Sequence, residues 1–250
     1  MISRRAQRGG MSLALVLAAA LVSTGAIAQA PDDAPTDQPA APSDTGGVYK
    51  PPLRGAPGGR VGGASRSAIK SAVALPTIEL VAPLDHTGQT ASATPTLYFF
   101  VSQPIAWPTQ FTISAPLRAA PILEVTIPSP PARGLYALRL ADYRVQLEPG
   151  IVYTWSVSAV VDAKRWARNV VASATLLRVT PASALNGATS PVQRAAVLAG
   201  SGLWYDAVAA AAEAQNLDRH AALDELLTEV GLTEPASFDR TLAGGAPSAR

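Results

Sequence analysis

His86 and His220 are the only two imidazoles in the chain, and neither has a second histidine at ligand spacing. A zinc or copper centre needs three or four such donors converging on one point, so no metal is expected. His86 falls in a loop after a strand-like run and His220 at a helix start; both read as solvated side chains. Cysteine is absent, which removes thiol nucleophiles, thiolate ligands, a disulfide framework and a lipid-modified N-terminal cysteine. Ser201 lies between Gly200 and Gly202 in a helix-breaking turn, not in the strand-to-helix elbow of a serine hydrolase. The run Gly58-Gly59-Arg60-Val61-Gly62-Gly63 follows no strand, so it does not support a dinucleotide site, and no phosphate loop is present. Asp142, Glu148 and Asp162 are the free acids in the second half of the β-like region. Nothing in their spacing pairs them for glycoside hydrolysis, and they read as solvated turn residues. The expectation is a non-enzyme with no catalytic residues and no cofactor.

One segment does carry chemistry. From Tyr49 to Arg66 the chain is rich in glycine and proline and holds Lys50, Arg54, Arg60 and Arg66 without a single acid. Successive glycine amides, here Gly62 and Gly63, can turn toward an anion, and arginine forks complement carboxylate or phosphate. Arg54, Arg60, Arg66, Gly62 and Gly63 are therefore the candidate binding residues. The competing reading is an extended strap along the body, its arginines paired with surface acids. Trp107, before Pro108 in a loop, and Trp166, inside the charged hairpin Lys164 to Arg168, pose a similar choice with Trp204. An exposed pair could stack on sugar or peptide, whereas packing at the core or its rim is the plainer role.

The elements that must position these residues follow from composition and pattern. Arg4, Arg5 and Arg8 precede an apolar run from Met11 that closes on Ala26-Ile27-Ala28, the layout of a cleavable signal peptide over residues 1–28. Cleavage after Ala28 is favoured, because Pro31 disfavours the alternative after Ala30. An uncleaved membrane anchor is the other reading, weakened by Ser23, Thr24 and Gly25. Without the three leader arginines, seventeen bases face eighteen acids. A nucleic-acid binder needs a basic face, so nucleic acid is not an expected partner. Residues 29–47 hold four aspartates and no large apolar side chain, which predicts a disordered acidic linker. Residues 48–75 form the arm.

Over residues 76–180 short apolar runs alternate with turn residues. They centre on Ile78–Ala82, Leu97–Val101, Phe111–Ile113, Leu123–Ile127, Tyr136–Leu140, Tyr153–Val161 and Val171–Val179. Seven short strands over about a hundred residues fit an immunoglobulin-like or fibronectin-like antiparallel sandwich. The stretch Leu147-Glu148-Pro149-Gly150-Ile151-Val152-Tyr153-Thr154-Trp155 resembles the corner of fibronectin type III domains. There a tyrosine hydroxyl bonds back to the backbone beside a Pro-Gly turn. Tyr153, Pro149, Gly150 and Trp155 are the structural candidates, with plain core packing of Tyr153 as the alternative.

From Pro191 the period changes to helical. Gly202 separates a first helix from an alanine-rich second over Leu203–Gln215, and a third runs from Asp218 to a Gly231 cap. Gly202, Ala207 and Ala214 match the small-residue positions of a single tetratricopeptide repeat. The helical segment is expected over residues 190–231, and residues 232–250 as a disordered tail after Pro235.

The arm, the Tyr98-Phe99 strand, Leu138-Arg139-Leu140-Ala141-Asp142-Tyr143 with its Pro-Gly corner, and Gly202-Leu203-Trp204-Tyr205-Asp206-Ala207 occur in one order. In this the chain resembles the domain of unknown function 928 family, exported proteins of cyanobacteria and proteobacteria. The resemblance spans about Tyr49 to Leu232. The family's arm matches at Pro52, Arg54, Gly55, Pro57, Arg60, Gly62, Gly63 and Arg66, and departs at Ala64. It implies no activity. The functional expectation is an exported, periplasmic or secreted, non-enzymatic binding or scaffolding protein of the bacterial envelope. Its partner is expected to be another envelope protein or a peptide segment, with no membrane span after leader cleavage. The runner-up is a carbohydrate-binding or hydrolytic sandwich. Oligomeric state is left open.

Overall fold

Alternating side chains in each short strand leave one apolar face to be buried, and two sheets share that burial. The computed structural model describes residues 49–52, 61–62, 74–180 and 188–245. The leader and linker expectations for residues 1–47, and arm residues Arg54, Arg60, Gly63 and Arg66, lie outside the described residues. Within them, β1 (Val61–Gly62), β2 (Ile78–Leu80), β4 (Thr96–Val101) and β7 (Gly134–Arg139) form one sheet in the order β1-β2-β4-β7. The second sheet joins β3 (Gly88–Thr90), β5 (Thr109–Ser114), β6 (Leu123–Ile127), β8 (Val152–Ala159) and β9 (Val170–Arg178) in the order β3-β9-β8-β5-β6.

In β8 the residues Tyr153, Trp155, Val157 and Ala159 are buried while Val152 and Thr154 are exposed. That is the period-two signature of a sheet with one face in the core. Phe111, Ile113, Ala172, Ala174 and Leu176 join them from β5 and β9. They share a single apolar cluster with Ile78, Leu80, Leu97, Phe99 and Leu138 of the other sheet. β4 lacks alternation because both its faces are covered. Phe99 points into the cluster and stacks on Tyr136 at 5.7 Å, whereas Phe100 meets Phe238 of the C-terminal segment at 5.5 Å.

All seven expected strands are present, and two more were not anticipated. β1 lies in the arm, and β3 is only Gly88-Gln89-Thr90, with no apolar alternation to announce it. β3 runs parallel to β9, so the second sheet is mixed and the expectation of a purely antiparallel architecture is corrected. The cause is local. Pro83 has no N–H to give a ladder, and the chain leaves the first sheet after β2 and resumes on the second.

Four helices follow: α1 (Pro191–Gly200), α2 (Trp204–Glu213), α3 (Asn216–Glu229) and α4 (Thr233–Gly245). Ser190 caps α1, its hydroxyl accepting from the Gln193 N–H at 3.2 Å, with Pro191 in the first turn. α1 and α3 each end on a left-handed glycine, Gly202 and Gly231. The amides of Leu203 and Leu232 reach back to the carbonyls of Leu198 and Leu227 at 3.0 and 2.7 Å, closing both helices in Schellman fashion. α2 packs on β3 and β4, and α4 on β7.

α4 corrects the expected disordered tail as far as residue 245, and residues 246–250 lie outside the described residues. Pro235, after which disorder is expected, is the third residue of the helix. There its missing N–H would have had no intrahelical partner anyway. Phe238 anchors the helix on Phe100, and the Arg133 guanidinium lies over both rings at 5.3 and 5.5 Å. Among the described residues no helix is long and apolar enough to cross a membrane.

Candidate functional site

Side chains able to do chemistry gather in two places. The first is the junction of arm, sheets and helices. Gly202 adopts a φ of 76°, open to glycine without strain, and a Cβ there would come within 3.0 Å of the Lys50 carbonyl oxygen. The turn therefore lets the arm lie directly on it, and the Lys50 N–H donates to Ala199 at 3.0 Å. Tyr49 is consequently buried. Its backbone N–H is held by both carboxylate oxygens of Glu229, at 3.1 and 3.0 Å, and its ring packs on Trp204 and His86.

The Tyr49 hydroxyl stands 2.6 Å from His86 Nε2, and His86 Nδ1 stands 2.6 Å from Asp85. A carboxylate only accepts, so Nδ1 carries the proton. In the neutral ring Nε2 then accepts from Tyr49. Burial pushes the Tyr49 pKa far up, with Tyr205, Asp85 and Glu229 adding to the effect. The phenol stays protonated and serves as a donor. His86 is thus a buried link between arm and β2–β3 connection, which corrects its reading as a solvated side chain. His220 is corrected too: its Nδ1 lies 2.8 Å from Asp239, joining α3 to α4.

Each residue of Gly202-Leu203-Trp204-Tyr205-Asp206-Ala207 has a task at this junction. Leu203 and Ala207 are buried among the helices. Trp204 Nε1 donates to the Val81 carbonyl at 3.0 Å. The Tyr205 hydroxyl donates to the Thr175 carbonyl at 2.9 Å and accepts from Trp155 Nε1 at 3.0 Å. Its ring is so close to Gly88 that a Cβ there would fall 2.7 Å from a ring carbon. Asp206 accepts from the Thr90 hydroxyl at 2.7 Å and the Ala91 N–H at 2.6 Å, tying α2 to the end of β3. Burial raises its pKa, opposed in part by hydrogen bonds from Ala91, Thr90 and Ser92. Sequence reasoning missed Asp206 and Tyr49. An acid in the first turn of a helix with no capping side chain was the available signal for Asp206.

The corner residues sit at and just before the start of β8, with Tyr153 on the same buried face as Trp155. The Tyr153 hydroxyl accepts from the Glu148 N–H at 2.9 Å. Gly150, at φ 78°, donates its N–H to the Arg178 carbonyl at 2.8 Å, beside exposed Pro149. Trp155 is fully buried. Of the arm's candidate anion ligands only Gly62 is described, and it pairs with Ile78 in β1–β2.

The second place is one end of the two sheets. The Val160 N–H donates to the Pro108 carbonyl at 2.8 Å, and the Ile105 N–H to the Pro130 carbonyl at 2.9 Å. The Ser129 hydroxyl donates to the Trp107 carbonyl at 2.7 Å. These bonds lace the β4–β5, β6–β7 and β8–β9 connections together. Trp107 is half-buried against the core. Trp166 is 70% exposed, in a short turn of 3-10 helix at Trp166–Arg168. Asp162 accepts from the Lys164 N–H at 2.9 Å and lies 3.6 Å from both Arg165 and Arg168, while buried Asn169 accepts from the Asp162 N–H at 3.0 Å. Asp142 and Glu148 are exposed. No group of three metal-ligating side chains occurs among the described residues.

Fold and sites together define a β-rich body packed against a helical segment, with an aromatic, cationic loop exposed at one end. The chain belongs to the family described as Domain of Unknown Function (DUF928), whose model matches residues 61–239. No curated protein and no solved structure matches it.

Proposed function

We propose that this is an exported, non-enzymatic binding or scaffolding protein of the bacterial envelope, and that it recognises its partner through the laced loop end. The observation that carries this is Trp166, 70% exposed on a loop braced by Asp162 and Asn169 and flanked by Lys164, Arg165 and Arg168. A large ring left in water on a pre-shaped loop costs solvation that contact with a partner recovers. Trp and Arg dominate such contacts when they occur.

The strand orders support an immunoglobulin/fibronectin-like sandwich. Lettered in chain order, β2-β4-β7 and β9-β8-β5-β6 correspond to A-B-E and G-F-C-C′ sheets, with β3 as an added edge. In such sandwiches the B–C and F–G connections share the end used for recognition. The α1–α2 pair, with buried Ala207 and Ala214, supports a single tetratricopeptide-like unit whose apolar side packs on the sheets. A carbohydrate-binding role would also use Trp166, but Trp155 is committed to the core and Asp162 to its own loop's cations.

Envelope extract passed over the immobilised protein tests the reading. A retained component that is lost with Trp166→Ala, while the arm and fold stay intact, is the expected result. Retention unchanged by the substitution would move recognition elsewhere on the molecule.

A further inference from the structure

Residues 163–167 are exposed without interruption. An unbroken exposed run at the turn of a hairpin leaves every one of its side chains open to solvent. Trp166 is its most apolar member and makes no ring contact among the described residues, while Arg165 and Arg168 share Asp162 as their single acid partner. With Lys164 the tip holds three cations against one carboxylate. The hydrogen bonds from Lys164 to Asp162 and from Asp162 to Asn169 fix its shape before any partner arrives.

From this arrangement we infer that the β8–β9 tip docks on an anionic lipid surface, Trp166 entering the headgroup layer while Lys164, Arg165 and Arg168 face lipid phosphates. The inference rests on the loop end being the recognition surface and names what it recognises. Size decides between a bilayer and a folded protein. A stable protein interface takes about 800 Å² and roughly 20–30 residues from each partner, whereas the continuous exposed run of the tip is five residues, 163–167. A bilayer needs only a small protrusion, because indole partitions to the membrane–water boundary and basic residues add attraction to an anionic leaflet. Such docking is peripheral and needs no spanning helix.

The test is co-sedimentation of the full chain with vesicles of phosphatidylglycerol mixed into phosphatidylcholine, and with phosphatidylcholine alone. Fluorescence emission and acrylamide quenching are read on the same samples. Variants are compared side by side with the parent, so any contribution of residues 1–28 is common to all. Binding to the anionic vesicles only is expected, with a blue shift, reduced quenching and weakening by salt. Lys164→Gln, Arg165→Gln and Arg168→Gln should each weaken binding about fivefold. Trp166→Ala should abolish the blue shift, and far-ultraviolet circular dichroism checks that each variant is folded. Equal binding to neutral vesicles, binding unaffected by these substitutions, displacement by millimolar inorganic phosphate, or protection of Trp166 by a soluble acidic peptide but not by vesicles would each overturn the inference. If vesicles fail while Trp166→Ala still loses a component of envelope extract, the lipid inference falls and the loop-end reading stands. If both fail, both fall.

Discussion

The indole N–H of Trp155, at the centre of β8, donates across 3.0 Å to the hydroxyl of Tyr205 in the first turn of α2. The same hydroxyl donates a hydrogen bond to the Thr175 carbonyl on β9 at 2.9 Å. Two buried polar groups on neighbouring strands are thus satisfied by one side chain from a helix. Tyr205→Phe should therefore strand a donor and leave an acceptor short, lowering stability by about 1–3 kcal/mol. Adding Trp155→Phe removes the stranded donor, so the double variant should lose less than the sum of the singles. Urea denaturation of the four proteins of this cycle measures the coupling; strict additivity would mean the bond carries no energy.

Tyr153→Phe isolates the corner. The ring still fills its buried place, but the Glu148 N–H loses its acceptor. A loss of about 1–2 kcal/mol is expected, read as a lower denaturation midpoint at unchanged slope. An unmoved midpoint would make the ring's packing the whole of its role.

Asp206 predicts a pH dependence. Burial raises its pKa in the folded protein, so the native state holds the proton more tightly than the unfolded chain. Its contribution to stability is then fully present below the unfolded value of about 3.9 and is lost as pH rises through the folded pKa. The stability of the parent minus that of Asp206→Asn should fall as pH is raised from about 3.5 to 7. A flat or rising difference would reverse the assignment.

Tyr49 separates a structural arm from a loose one. Tyr49→Phe should cost about 1 kcal/mol through the His86 bond, and Tyr49→Ala about 3–5 kcal/mol through the emptied space between Trp204 and His86. Amide hydrogen exchange at Lys50, slow in the parent because that N–H is bonded to Ala199, should accelerate in the alanine variant. Rapid exchange at Lys50 in the parent itself would contradict a fixed arm.

Phe238→Ala should loosen the last helix, since Phe238 and Arg133 form its aromatic and cationic anchor on Phe100. About 3–4 kcal/mol of local stability is at stake. Protease cutting within residues 233–245, with β7 still protected, is the expected sign.

Much of the β region was legible because its cause is local. Tyr153, Trp155 and Val157 alternate with polar neighbours wherever one face meets the core, and Gly150 and Gly202 stand where the backbone needs a positive φ. What escaped depends on partners distant in sequence. Gly88-Gln89-Thr90 is a strand only because β9 lies beside it and Asp206 holds its end. His86 reads as a loop residue until Tyr49, thirty-seven positions earlier, closes over it. Disorder is expected after Pro235, but a proline in a first turn leaves the helix to be decided by whether Phe238 finds an apolar surface, and Phe100 provides one. The candidate arm site was legible as composition only; the laced loop end became visible once the bonds from Val160 to Pro108 and from Ile105 to Pro130 set three connections side by side.

Tyr49 touches the β2–β3 connection through His86, α2 through Trp204 and α3 through Glu229. Releasing any one of these elements withdraws support from the other two. The helices are therefore not a detachable appendage that could melt first and leave a folded β body behind. Arm, sheets, α2 and α3 should unfold in a single transition, with coincident signals from tryptophan fluorescence and helical circular dichroism. A protease nick near Tyr49 would then lower the midpoint of the whole molecule instead of trimming one end of it.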